Sequence, residues 1–138
     1  MRIVFIEPAA PGFHVYSFIK QLRLGLPLLA AMMTERGHEC RVYAESLEEV
    51  DWDYVLSADV VGVSATTSTA VRAYRYAQRA RDAGIPVVMG GPHVTFLAEE
   101  ALDFCDYVVR QEGEQTLIEL VDLPPEELAK VPSAPGSL

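Results

Sequence analysis

Cysteine is scarce in this sequence. Of the 138 residues, only Cys40 and Cys105 are cysteines, and they form no C-x-x-C pair. A disulfide framework is therefore not expected, and a reducing, cytoplasmic setting fits best. Neither a G-x-G-x-x-G nor a Walker sequence occurs, so the usual signatures of dinucleotide and nucleoside triphosphate binding are absent.

Positive charge and long apolar runs are also limited. The 11 Lys and Arg residues are outnumbered by 20 Asp and Glu residues, for a net charge of −9, and no basic face is visible. A nucleic-acid partner is therefore not expected. No apolar stretch approaches the roughly 20 residues of a membrane span. Residues 1–6 are typical of a strand with no cleavage site behind it, so a signal peptide is not expected either.

The remaining composition is that of one globular domain. Hydrophobic residues make up 50% of the chain and charged residues 22%, and 138 residues are enough for a single core. Residues 122–138 contain four prolines, a glycine and two serines, which is typical of a linker. We therefore expect a folded domain over residues 1–121 and a linker over residues 122–138.

Short apolar runs alternate with helical patterns along the chain. The runs are typical of strands buried on both faces and lie at Ile3–Ile6, Cys40–Ala44, Asp59–Ser64, Ile85–Met89 and Tyr107–Val109. Helices are predicted from Pro27 to a stop at Gly37, and at Ser68–Ala83, Phe96–Leu102 and Glu114–Val121, with a short helical or irregular crossover at Leu47–Leu56. The expected fold is α/β, a flavodoxin-like (Rossmann-like) three-layer sandwich whose five-stranded parallel sheet has the order 2-1-3-4-5.

Polar and glycine-rich segments follow four of these strands. In such a sheet the ligand binds outside the carboxyl ends of the strands, at the switch point between the first and third. The segments that reach this edge are Glu7–Tyr16, Ser64–Thr69, Gly90–Phe96 and Arg110–Gln115. We therefore expect any binding site to be built from these four loops.

The segment Ser64–Thr69 carries five hydroxyl groups in six residues. A helix N-cap needs only one of them, and Ser68 is placed to supply it. Ser64, Thr66 and Thr67 are then left over, and from the residues alone both ligand contact and turn chemistry remain open for them.

The glycines of the fourth segment allow either a simple turn or a close approach by a ligand. Gly90 and Gly91 leave the backbone bare, and Pro92 restricts the residue before it. His93 is open to three roles: a surface residue, a hydrogen-bonding clamp of the loop, or a ligand or acid-base group. In the last segment Glu114 suits the start of a helix, whereas Glu112 has no such structural reason.

Taken together, several short stretches resemble one known family. They are Gly25–Ala31, Gly37–Glu39, Val61–Ser64, Val87–Thr95 and Glu112–Glu114. In order and spacing they are similar to the N-terminal cobalamin-binding domain of cobalamin-dependent radical SAM enzymes, and the match runs from Arg2 to about Val121.

The resemblance implies a corrinoid lying across the carboxyl edge of the sheet, with its nucleotide tail beside the strands. Gly90 and Gly91 would leave room for the tail and the corrin rim, and the hydroxyls of Ser64, Thr66 and Thr67 would bond it. His93 and Thr95 would hold the loop or touch corrin side chains. The cofactor-binding residues implied are Pro8, Gly12, His14, Ser64, Thr66, Thr67, Gly90, Gly91, Pro92, His93, Thr95, Glu112, Gly113 and Glu114.

The resemblance also implies a larger parent enzyme. A radical SAM domain of the same chain would carry a 4Fe-4S cluster and S-adenosylmethionine and would act as a methyltransferase, a cyclase or a rearrangement enzyme. The present sequence has no C-x-x-x-C-x-x-C motif, so we expect it to bind cobalamin without catalysing a reaction alone. The alternatives are a flavodoxin-like sensor or protein-interaction domain without cofactor, and a small α/β enzyme that uses His93 and Glu112.

The lower face of the cobalt is a separate question. The loop after the first strand lacks the D-x-H-x-x-G motif that supplies a cobalt-ligating histidine in methionine-synthase-type corrinoid proteins, and His14 is its only imidazole. No Asp lies two residues before His14 to orient the ring. We therefore expect the cofactor's own base to be displaced and no histidine to be coordinated to the cobalt.

Overall fold

A parallel five-stranded sheet forms the centre of the protein. The computed structural model describes residues 1–9, 25–91, 94 and 97–109. The strands lie in the order β2-β1-β3-β4-β5, and every neighbouring pair is parallel. They are β1 (Arg2–Glu7), β2 (Glu39–Ala44), β3 (Val60–Ser64), β4 (Val87–Gly90) and β5 (Tyr107–Val108). The predicted sheet, including its strand order, is confirmed.

The central strands are apolar throughout because both of their faces are covered. Alternate residues of β1 face opposite sides: Ile3 and Phe5 join one buried cluster, and Val4 and Ile6 join the other. The register places Phe5 opposite Gly62 of β3. A methyl group added at Gly62 would lie 2.7 Å from Cδ1 of Phe5, so this glycine makes room for the aromatic ring inside the core.

Helices of the described residues lie on both faces of the sheet. They are α1 (Gly25–Glu35), α2 (Trp52–Val55), α3 (Ala70–Asp82) and α4 (Ala98–Ala101), and a 3₁₀ turn (Thr67–Thr69) precedes α3. Met33 of α1 packs in the cluster of Ile3 and Phe5, whereas α2, α3 and α4 contribute to the cluster of Val4 and Ile6. The result is the predicted flavodoxin-like arrangement of helices on both sides of a parallel sheet.

Small residues let α3 lie close to the sheet. Its buried face is formed by Ala70, Ala73, Ala77 and Ala80, with Tyr74 beside them. The predicted helix is therefore present, but its start differs from the prediction. Ser68 is not the N-cap; it lies inside the 3₁₀ turn, and Thr69 occupies the N-cap position of α3.

The short elements were predicted less closely. Only four residues of the crossover form a helix, α2, whose N-cap Asp51 accepts hydrogen bonds from the N–H groups of Asp53 and Tyr54. Likewise α4 covers four residues of the segment predicted at Phe96–Leu102. The helix predicted at Glu114–Val121 and the linker lie outside the described residues. Both cysteines are free thiols, and no helix in the described part is long and apolar enough to cross a membrane.

Candidate functional site

The loops after β3 and β4 meet at the carboxyl edge of the sheet. Ser64 lies opposite Gly90 in the register, and the N–H of Ala65 donates a hydrogen bond of 2.9 Å to the carbonyl oxygen of Gly90. The two segments singled out in the sequence are therefore joined backbone to backbone. Ser64 and Gly90 are both half-buried, which places them at the boundary between the core and the edge.

The two glycines that end β4 have different surroundings. Gly91 has a φ of +102°, and a methyl group added there would lie 2.6 Å from the carbonyl oxygen of Ala65. The bare backbone of Gly91 is therefore needed by the fold itself, whatever binds nearby. Within the described part of the chain, a methyl group at Gly90 would meet only the carbonyl oxygen of Val109, at 3.7 Å. Of the two, Gly90 is the one whose missing side chain leaves space.

That space lies on the side of the sheet that α1 covers. Because side chains alternate along a strand, Gly90 faces the same side as Val88, and Ser64 faces the same side as Val60. Val60 and Val88 belong to the buried cluster that packs against α1. The two central strands thus end, side by side, in a serine and a glycine on one face. We refer to the space that the missing side chain of Gly90 leaves beside Ser64 as the gap. Such a space next to apolar side chains would suit an elongated ligand group lying along the sheet.

The hydroxyl groups after β3 divide into two sets. The Thr69 hydroxyl accepts the Thr66 N–H at 2.9 Å, and the Thr66 hydroxyl lies 3.1 Å from it. Thr66 is therefore engaged in starting the 3₁₀ turn. Among the residues that the structure describes, the hydroxyls of Ser64 and Thr67 have no hydrogen-bond partner. Ser64 and Thr67 are the two predicted hydroxyls that local structure leaves available.

The loop after β1 begins at the same edge. Pro8 is buried and Ala9 is half-buried, and the Ala9 N–H donates to Oε1 of Glu45 at 2.9 Å. The sequence did not single out Glu45, which follows β2 directly. The one available signal is the spacing of Arg72 and Tyr76, four residues apart on α3, because both donate hydrogen bonds to this carboxylate.

Burial and this carboxylate together perturb one phenol at the edge. Burial, assisted by the hydrogen bond to Glu45, raises the pKa of Tyr76 to about 12. Tyr76 therefore remains a hydrogen-bond donor at any physiological pH, and Glu45 keeps its partner.

Several predicted site residues lie outside the described part of the structure. These are Gly12, His14, Pro92, His93, Thr95, Glu112, Gly113 and Glu114. The structure therefore brings together Pro8, Ser64, Thr66, Thr67, Gly90 and Gly91 at one edge, and the remaining positions stay predictions. Within the described ranges no group of three or more His, Cys, Asp or Glu side chains could hold a metal ion.

Comparison with known proteins places the chain in a family. Residues 21–121 match the model of the B12 binding domain. An uncharacterized methyltransferase of Pyrococcus horikoshii is 40% identical over 110 residues, covering 72% of this chain and 24% of that protein. The bacteriochlorophyllide d C-8(2)-methyltransferase of Chlorobaculum tepidum is 39% identical over 72 residues, covering 52% of this chain and 15% of that protein.

The matches cover most of this chain but only a small part of each relative. The aligned part of the chain spans about a quarter of the first relative and less of the second. The family model, by contrast, covers most of the present chain and includes β2, β3, β4, β5 and the loops that follow β3 and β4. The chain belongs to the B12-binding domain family.

Proposed function

We propose that this chain holds a cobalamin across the carboxyl edge of its sheet and serves as the cofactor module of a radical SAM methyltransferase. Membership of the B12-binding family supports the first part of the proposal. The second part is supported by two relatives that are named as methyltransferases and are several times longer than the matched segment. The cofactor-free sensor considered from the sequence is not favoured by the family match.

The observation that carries the proposal is the gap at Gly90 and Ser64. A cobalamin has a broad ring and a long nucleotide tail, so its site must offer both an open edge and a channel beside the sheet. The gap faces the apolar cluster under α1 and would accept the tail, with the Ser64 hydroxyl available to bond it. Thr67, on the loop above, has an exposed hydroxyl that could reach the amides at the rim of the ring.

In the proposed enzyme, this domain and the rest of the protein would have different roles. Cobalamin supplies the methyl-transfer or radical chemistry, and the protein supplies its position and surroundings. The chain has two cysteines, too few for the three-cysteine cluster motif of radical SAM enzymes. The iron–sulfur cluster and S-adenosylmethionine would therefore be bound by another part of the enzyme, and this domain would present the cofactor to it.

The gap can be tested by filling it. Hydroxocobalamin is titrated into wild type, Gly90→Ala and Gly90→Val, with binding followed by visible absorbance and folding by urea denaturation. We expect saturable binding to wild type, a partial loss for Gly90→Ala, and a loss of about tenfold or more for Gly90→Val. The unfolding midpoint of Gly90→Ala should stay close to wild type, because described atoms leave space for a methyl group at Gly90. The denaturation curve of Gly90→Val shows whether that variant is folded. Wild-type affinity in a folded Gly90→Val protein would contradict the proposal.

A further inference from the structure

Glu45 is the centre of a hydrogen-bond cluster at the carboxyl end of β2. Its side chain is only 16% exposed. Oε1 accepts from the Ala9 N–H at 2.9 Å and from Nη1 of Arg72 at 3.0 Å, and Oε2 accepts from the hydroxyl of Tyr76. The Glu45 N–H in turn donates to the carbonyl oxygen of Glu7 at 3.0 Å.

These contacts join three parts of the chain that are distant in sequence. Ala9 belongs to the loop after β1, Glu45 follows β2, and Arg72 and Tyr76 lie on α3. A charged acceptor that is largely buried and holds several donors is a strong local restraint, because moving any donor away would leave the carboxylate poorly solvated. The backbone of Ala9 is thereby fixed where the first edge loop leaves the sheet.

A second cluster of a glutamate, an arginine and a tyrosine serves as a comparison for the Glu45 cluster. At the opposite end of β2, Glu39 accepts from Nε of Arg2 at 3.1 Å and from the hydroxyl of Tyr54 at 3.2 Å. Its side chain is 59% exposed, and these donors are side chains. Both clusters combine a glutamate, an arginine and a tyrosine. Only Glu45 holds a backbone N–H of a loop at the carboxyl edge.

We propose that Glu45 is a positioning residue that sets the start of the loop after β1 for cobalamin binding. The inference rests on the proposed function, since it assumes that the cofactor lies against this edge. Glu45 does not contact the cofactor in this account; it acts through the backbone of Ala9. A backbone segment that is already fixed at Ala9 loses less conformational freedom there when the ligand binds, so breaking the restraint should weaken binding.

The test compares matched substitutions in the two glutamate clusters. Glu45→Ala, Glu45→Gln and Glu39→Ala are titrated with hydroxocobalamin, and amide hydrogen exchange at Ala9 is measured without cofactor. Glu45→Ala should speed exchange at Ala9 and raise the Kd by about tenfold. Glu45→Gln keeps an acceptor for the Ala9 N–H and should recover most of that loss. Glu39→Ala should leave both the Kd and the Ala9 exchange rate at their wild-type values.

The outcomes separate this inference from the proposed function. A folded wild type that binds no cobalamin would overturn both. Wild-type binding with an unchanged Kd in Glu45→Ala, or with slow exchange at Ala9 in that variant, would overturn the positioning role alone. If Glu45→Ala does not fold, Glu45→Met keeps the bulk of the side chain but offers no carboxylate to the Ala9 N–H, and an unchanged Kd in that folded variant would equally overturn the positioning role.

Discussion

At the residue scale, Gly91 and Gly37 both have a positive φ, but different atoms surround them. Gly91 has a φ of +102° and faces the backbone of Ala65 at 2.6 Å from where a methyl group would be. Gly37 has a φ of +93°, and a methyl group there would meet nothing within 4 Å. The pair therefore separates the cost of a positive φ from the cost of a steric clash.

This difference predicts unequal losses of stability. Gly37→Ala should lower the free energy of unfolding by about 1–3 kcal/mol, the cost of holding alanine in a sparsely populated conformation. Gly91→Ala should lower it by a further 1–3 kcal/mol or so, because the added methyl group must displace the backbone of Ala65. Urea denaturation of both variants measures the two losses. Equal losses would mean that the turn at Gly91 moves freely away from Ala65.

The same scale shows why the candidate site was only partly predictable. The hydroxyl-rich loop and the glycine turn are local, so sequence alone placed Ser64, Thr67 and Gly90 at the edge of the sheet. Glu45 was missed because its donors lie 27, 31 and 36 residues away. Only folding brings Ala9 and Tyr76 to one carboxylate. The opposite roles of Gly90 and Gly91 likewise depend on Val109 and Ala65, which directly follow β5 and β3 and which no local pattern brings to these glycines.

At the element scale, the buried strands were the most predictable part of the fold. A strand covered on both faces must be apolar at successive positions, and the run Val60–Val63 shows this directly. Helix α3 was equally clear because its alanines recur at helical spacing. Helices α2 and α4 have four residues each, so neither displays a periodicity that could fix its bounds. The 3₁₀ turn replaced the predicted cap at Ser68 because Thr66 and Thr69 satisfy each other.

Helix α3 also links stability to alkaline pH through Tyr76. Its pKa rises from an ordinary 10.0 to about 12 in the folded protein. Below pH 10 both states keep the proton and the stabilisation is complete. Between pH 10 and about 12 the unfolded state loses the proton while the folded state keeps it, so stability falls as pH rises and this contribution is gone above the folded pKa.

Removing the phenol should therefore change the pH dependence as well as the stability. Tyr76→Phe should lose about 1–3 kcal/mol at pH 7, since the hydrogen bond to a charged acceptor is lost. The difference in free energy of unfolding between wild type and the variant should shrink above pH 10. In that range the variant should release up to about one proton fewer than wild type on unfolding. Urea unfolding at pH 7, 10 and 11 measures this. Parallel pH curves for the two proteins would show that the pKa of Tyr76 is the same in the folded and unfolded states.

At the scale of the whole molecule, the family assignment predicts which small molecule stabilises the fold. A ligand that binds only the folded state raises the free energy of unfolding by about 2.7 kcal/mol when its free concentration is 100 times the Kd. Hydroxocobalamin should do this, because its proposed site spans loops that follow several strands and would therefore require the assembled sheet. S-adenosylmethionine should not, because the chain has only two cysteines and cannot supply a three-cysteine cluster to hold it.

The measurement is chemical denaturation with each compound added separately. Cobalamin should move the urea midpoint upward in wild type and move it far less in Gly90→Val, whose added side chain would fill the space proposed for the nucleotide tail. S-adenosylmethionine should leave both midpoints in place. If S-adenosylmethionine stabilised wild type and cobalamin did not, the edge of the sheet would be a site for a different ligand. A shift of equal size in wild type and Gly90→Val would instead place the cobalamin away from the gap between β3 and β4.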